Sequence, residues 1–203
     1  MWDLHADAEH LVFQGHDDGV TRVTFRSDGE AVISTADDGT VRVWDLSPTG
    51  KHEVLGEHSD GVTSLTSTRD STLVVSASVD GAIKLWDSTT GARVGLLAAH
   101  VESVPAIDLS PCNRLLISGS WDCTLRLWDL ITGEHKLLQR SPHEYTSVAF
   151  SPVRALAVSS NTHGEVQLWN VVDGTLHHTS RVHAESIVGV IFSPDGDNYV
   201  TFS

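Results

Sequence analysis

The chain has 203 residues, 40% of them hydrophobic and 20% charged, the fractions of a folded domain rather than of a disordered chain. Lys and Arg number 13 against 27 Asp and Glu, giving a formal net charge of −14, so a surface that coats nucleic acid is not expected. No apolar run reaches the roughly 18–20 residues of a membrane helix, and Met1-Trp2-Asp3-Leu4-His5 lacks the basic and apolar regions of a signal peptide, so membrane insertion is not expected either.

Trp2-Asp3 reads as the end of a strand. Val20 to Phe25 then forms a first strand, Ser27-Asp28-Gly29 a turn, and Ala31 to Ala36 a second strand. Asp38-Gly39 is a tight hairpin turn, and Thr40 to Trp44 is a third strand rich in β-branched residues. Pro48-Thr49-Gly50 turns again, and His52 to Leu55 makes a fourth strand. The order recurs with Asp80-Gly81 before Ala82 to Trp86, and with Asp122-Cys123 before Thr124 to Trp128. Gly50, Gly91, Gly133 and Gly174 mark the third turn of each unit, and Tyr199 to Ser203 is a last strand. No stretch has helical periodicity. Both parities of these strands carry apolar residues, as in sheets covered on both faces.

Two residue types lock this pattern to one period. Trp2, Trp44, Trp86, Trp128 and Trp169 are spaced 42, 42, 42 and 41, each followed by Asp or Asn. His16, His58, His100, His143 and His183 are spaced 42, 42, 43 and 40. A structural unit therefore repeats about every 42 residues.

Gly15-His16 with Trp44-Asp45, His58 with Trp86-Asp87, His100 with Trp128-Asp129, and His143 with Trp169-Asn170 resemble the WD40 family of β-propellers. The resemblance spans essentially the whole chain. It implies an all-β fold of four-stranded antiparallel blades, about five represented, the first and last incomplete. Residues 1–14 would end one blade, 15–55, 56–97 and 98–140 would be three repeats, 141–180 a degenerate fourth, and 181–203 the start of another. The chain would be a segment of a longer propeller, a five-bladed ring, or part of a ring shared between chains.

The resemblance also implies a hydrogen-bonded chain of His, Ser, Asp and Trp inside each blade. The matching residues are His16, Ser34, Asp38 and Trp44; His58, Ser76, Asp80 and Trp86; and His100, Ser118, Asp122 and Trp128. The fourth set, His143, Ser159 and Trp169, has His163 where Asp belongs, so that blade is expected to be the least protected. Such a network specifies one packing, because each unpaired buried polar group costs roughly 1–3 kcal/mol.

Partner binding in the family falls on the rim around the central channel. Carried over, that rim takes Asp37, Val79, Trp121 and Thr162 from the tight turns, with Thr21, Thr63, Pro105 and Thr146 entering the first strands. Trp121 lies off the tryptophan ladder and is the candidate anchor; the plain alternative is that it folds over a neighbouring blade. Asp17, Asp18, Asp37, Asp60, Glu102, Glu144 and Glu185 read either as a solvated acidic face or as an attraction for a basic segment. Trp121 with Tyr145 would begin an aromatic cage, although two rings are too few to prefer one.

Catalytic and metal motifs are missing from the sequence. There is no Gly-x-Ser-x-Gly elbow, HExxH or phosphate-cradling glycine loop, and so no catalytic residue and no cofactor is predicted. His177-His178 point to opposite faces of one strand and make a poor metal pair with His183. Cys112 and Cys123 sit at opposite ends of a strand, too far apart for a disulfide, and suit a reducing compartment such as cytoplasm or nucleus. The expected role is a non-enzymatic scaffold for a protein or peptide of basic or neutral character. The alternative is a sensor array within a larger multidomain signalling or regulatory protein. Open blade edges add a tendency to self-associate.

Overall fold

The structure, a computed structural model, describes residues 2–3, 8–9, 12–46 and 52–203. The predicted turn at Pro48-Thr49-Gly50, and His5 and His10, lie outside the described residues. β1 (Trp2–Asp3) pairs antiparallel with β2 (Ala8–Glu9). Four four-stranded antiparallel sheets follow. The first blade is β3 (Val20–Phe25), β4 (Ala31–Ala36), β5 (Thr40–Asp45) and β6 (His52–Glu57). The second is β7 (Val62–Ser67), β8 (Leu73–Ser78), β9 (Ile83–Asp87) and β10 (Arg93–Leu97). The third is β11 (Ala106–Leu109), β12 (Leu115–Gly119), β13 (Thr124–Asp129) and β14 (His135–Arg140). The fourth is β15 (Tyr145–Phe150), β16 (Leu156–Asn161), β17 (Glu165–Asn170) and β18 (Thr175–Arg181). β19 (Gly189–Phe192) and β20 (Tyr199–Phe202) form a last hairpin. The described residues contain no helix.

The second strands of the second, third and fourth blades are buried along nearly their whole length because a further sheet lies on either side of them. All six residues of β4 are buried. The cores are correspondingly the interfaces between blades. Ile33 and Val41 pack on Val62, Val74 and Trp86 of the second blade. Val75 and Ile83 meet Val104, Leu116 and Trp128 of the third. Ile117 and Leu125 meet Tyr145, Ala157 and Trp169 of the fourth, and Val158 and Val166 meet Ile187 and Val190 of the last hairpin. Each fully buried aliphatic side chain contributes roughly 1.5–3 kcal/mol, so stacking the blades is a major source of stability.

A bulge recurs in the first strands. Val20 and Arg22 pair with Ala36 and Thr35, leaving Thr21 unpaired, and Thr63 and Thr146 stand in the same position. The extra residue turns its side chain toward the next blade. Thr21 and Thr63 hydroxyls each donate at 2.6 Å to the next blade, to the carbonyls of Val62 and Val104.

The turns between second and third strands need a left-handed backbone. Gly39, Gly81 and Gly164 supply it with φ between 78° and 79°, and Cys123 adopts it with φ 63°. At Gly164 the requirement is also steric, since a Cβ there would lie 2.1 Å from the His183 carbonyl oxygen.

Candidate partner-binding surface

A buried hydrogen-bonded chain fixes the loops that lead to the rim. In the first blade His16 Nδ1 lies 2.9 Å from Asp38 Oδ2 and Nε2 lies 2.7 Å from Ser34 Oγ. The Trp44 indole donates to the same Ser34 oxygen at 2.7 Å. The second blade repeats this with His58, Asp80 (3.4 Å), Ser76 (2.7 Å) and Trp86 (2.8 Å). The third has His100, Asp122 (2.9 Å), Ser118 (2.7 Å) and Trp128 (2.8 Å). A neutral imidazole with a carboxylate at Nδ1 carries its proton there and accepts the serine proton on Nε2. Burial disfavours the charged form in the second and third blades. It draws His58 down to about 4, against the pull of Asp80, and lowers His100 likewise. Burial pushes Asp38 upward, but donors from Thr40, the Asp17 amide and His16 outweigh it and hold the carboxyl far below its usual range.

The fourth blade departs from this pattern, and the ladder position needs correcting. Val62 and Tyr145 start their first strands, and Val104 and Ile187, two residues before β11 and β19, hold the equivalent place; four residues before them stand His58, Ser141, His100 and His183 respectively. Ser141 N donates to the Cys123 carbonyl at 2.9 Å, as His58 N donates to the Gly39 carbonyl. Ser141 therefore holds the ladder place. His143 lies two residues on, level with Asp60 and Glu102, and stacks on His163 with centroids 4.2 Å apart and planes 14° apart. No hydrogen bond joins it to Ser159.

A different chain fills the interior. The Trp169 indole donates to Ser159 Oγ at 2.9 Å, and the Tyr145 hydroxyl donates to Gln167 Oε1 at 3.1 Å. Ser159 Oγ lies 3.4 Å from that same oxygen. Tyr145 is consequently fully buried. It belongs to the core and lies outside the rim surface, and the aromatic cage with Trp121 is ruled out. Burial pushes its hydroxyl well above the usual range. The Tyr145–Gln167 bond thus stands where the other blades have their His–Asp link. In the last hairpin Thr201 Oγ1 takes the serine place, 2.9 Å from His183 Nε2.

The four tight-turn residues occupy equivalent positions on one rim. Each is pinned by its amide to the loop that enters the first strand of its own blade: Asp37 to Gly19, Val79 to Gly61, Trp121 to Ser103 and Thr162 to Glu144. Asp37 spans two blades; a Cβ on Gly19 or Gly61 would come within 3.2 Å of its carboxylate oxygens. Asp37, Val79 and Trp121 are exposed, and Thr162 is half-buried. Thr21, Thr63, Pro105 and Thr146 are half-buried below them. The Thr21 and Thr63 hydroxyls are occupied by the bonds between blades, and Thr146 Oγ1 meets Ser160 Oγ at 3.1 Å, so these threonines lace the fold.

Trp121 is 46% exposed, whereas Trp44, Trp86, Trp128 and Trp169 are buried. The loops and turns of the rim also carry acidic residues. Asp17, Asp18, Asp37, Asp60, Glu102, Glu144 and Glu185 are all exposed. Cys123, whose Sγ sits 3.6 Å from the Trp121 carbonyl, has its thiol pushed up by burial and then by the fields of Glu144, Asp122 and Glu102. An exposed aromatic ring on a rim that also bears carboxylates can hold an apolar stem and attract a cationic head.

Four-stranded antiparallel sheets stacked face to face in chain order are the blades of a β-propeller. The model of the WD domain, G-beta repeat, matches residues 9–45, 50–87 and 91–129, more than half of the chain. The chain belongs to the WD40-repeat family. No curated protein matches it. Domains of this family are in general non-catalytic scaffolds that bind proteins or peptides.

Proposed function

We propose that this chain is a non-enzymatic scaffold that binds a protein or peptide segment of basic or neutral character across its top rim. Trp121 is the anchor. The observation that carries this reading is its exposure on a rim that also bears exposed carboxylates, whereas Trp44, Trp86, Trp128 and Trp169 are buried. A large ring left in water within a rigid frame gives contact area at little entropic cost, and such rings are over-represented among interface hot spots. The acidic rim adds steering and selects against acidic segments.

The test uses synthetic peptides of one length that are lysine- and arginine-rich, neutral, or acidic. Binding is read by calorimetry and by indole fluorescence. Basic and neutral peptides are expected to bind, with Trp121→Ala weakening them about tenfold or more while unfolding stays unchanged. Asp37→Ala is expected to weaken the basic peptides alone. A preference for acidic peptides, or affinities indifferent to Trp121→Ala, would move the site elsewhere.

A further inference from the structure

The junction of the second and third blades leaves a hydroxyl without a partner beneath the rim. Among the described residues two buried side-chain polar atoms make no hydrogen bond, Ser103 Oγ and Arg126 Nε. Arg126 still reaches His135 through Nη1 at 2.8 Å, whereas the Ser103 side chain has a single polar atom. Ser103 is 4% exposed. Buried hydroxyls are ordinarily paired, so an orphan points to a group that arrives from outside. Ser103 stands where Gly19 and Gly61 stand in the blades before it. A Cβ on Gly61 would meet Asp37 Oδ1 of the preceding turn at 3.2 Å. Ser103 faces the preceding turn in the same way, but Val79 holds the place of Asp37 there and has no polar side chain to offer. The loop that carries Ser103 is clamped between two tight turns. Val104 N donates to the Ser78 carbonyl at 3.1 Å, and Trp121 N and Ser120 Oγ both donate to the Ser103 carbonyl at 2.9 Å. Each of these three segments presents an exposed apolar side chain, Val79, Val101 and Trp121. Both blades that meet here have all four strands.

We propose, on the footing that the partner binds across the rim, that this junction is the subsite for one residue pair of the partner: an aliphatic side chain seats against Val79, Val101 and Trp121, and a lysine or arginine next to it pairs with Glu102. The main chain of the same segment hydrogen-bonds Ser103 Oγ. A hydroxyl both donates and accepts, so it serves a peptide N–H or C=O alike. Apolar side chains around one polar atom select an aliphatic residue over a polar one, whose own group would be left unpaired there. The charge follows from the loop: Glu102 is exposed beside Ser103, and residues 77–82, 99–105 and 119–123 contain no lysine or arginine, so an acidic neighbour is repelled. The adjoining junctions are built differently. Asp37 places its carboxylate in the first, and Glu144 takes the place of Ser103 in the third.

The test titrates the full chain by calorimetry with three peptides of one length: one with leucine beside lysine, one with serine in place of that leucine, and one with glutamate in place of that lysine. The leucine–lysine peptide is expected to bind at least about tenfold more tightly than either of the others. Ser103→Ala is expected to weaken it about threefold or more, and to leave the urea midpoint of the free protein unchanged or higher, because the hydroxyl has no bond to lose. Val101→Ser is expected to weaken the leucine peptide and to leave the serine peptide as it was. Ser103→Ala that binds like the wild type would show the hydroxyl is not used, and a lowered urea midpoint would show it is already paired within the fold; either overturns the subsite. Three peptides that bind alike overturn it too. If Trp121→Ala weakens binding while Ser103→Ala and Val101→Ser do not, the rim stands as the partner surface and the subsite alone falls; if none of the three variants matters, both fall.

Discussion

Ser118→Ala tests the reasoning about the buried networks most directly. Ser118 is 0% exposed at the centre of the third blade. Its oxygen accepts the Trp128 indole proton at 2.8 Å and lies 2.7 Å from His100 Nε2. Removing it strands one buried donor and one buried acceptor. Each costs roughly 1–3 kcal/mol, so the expected loss is about 2–6 kcal/mol. That is a large share of the roughly 5–15 kcal/mol that folded proteins possess. Ser159→Ala in the fourth blade provides the internal comparison. There the Trp169 indole loses its acceptor, but Gln167 keeps the Tyr145 hydroxyl, and the 3.4 Å contact it loses is too long to count for much. The expected loss is about 1–3 kcal/mol, roughly half as much. Urea unfolding followed by far-ultraviolet circular dichroism measures both. A Ser118→Ala loss below about 1 kcal/mol, or a Ser159→Ala loss as large as that of Ser118→Ala, would refute the accounting.

Acid provides a second test, with groups of opposite sign. His58 stays neutral in the fold down to about 4 while the unfolded chain takes its proton near 6.5, so its contribution is complete above pH 6.5 and lost as pH falls toward 4. That displacement corresponds to about 3 kcal/mol. Burial raises Asp108 to about 6 against the Phe150 and Leu109 amides, so the fold takes up this proton first and gains stability as pH falls below 6. Asp108→Asn removes the gain, and its stability is expected to fall more steeply than the wild type between pH 6 and 4; parallel profiles in urea titrations would contradict this. Cys123→Gly places glycine at the one tight turn among the four described that lacks it, with φ 63°. A rise in stability of about 1 kcal/mol is expected by the same titration, and a fall would show that the thiol packs more usefully than the backbone strains.

The strand order and three of the four complete blades were legible because the tight turns, tryptophans and histidines share one spacing. The fourth blade is less legible for a definite reason. Residue type points to His143, which requires spacings of 43 and 40, while Ser141 fits with 41 and 42. Counting back from the strand would have found it, since the ladder position is set by the distance to Tyr145 and not by the imidazole. The Tyr145–Gln167 link had a weaker signal. Arg42, Lys84 and Arg126 occupy the position of Gln167 in the other blades, and a neutral amide there marks a changed interior. Nothing in the sequence shows that the Thr21 and Thr63 hydroxyls are occupied. That depends on a bulge whose effect is felt across to the next blade.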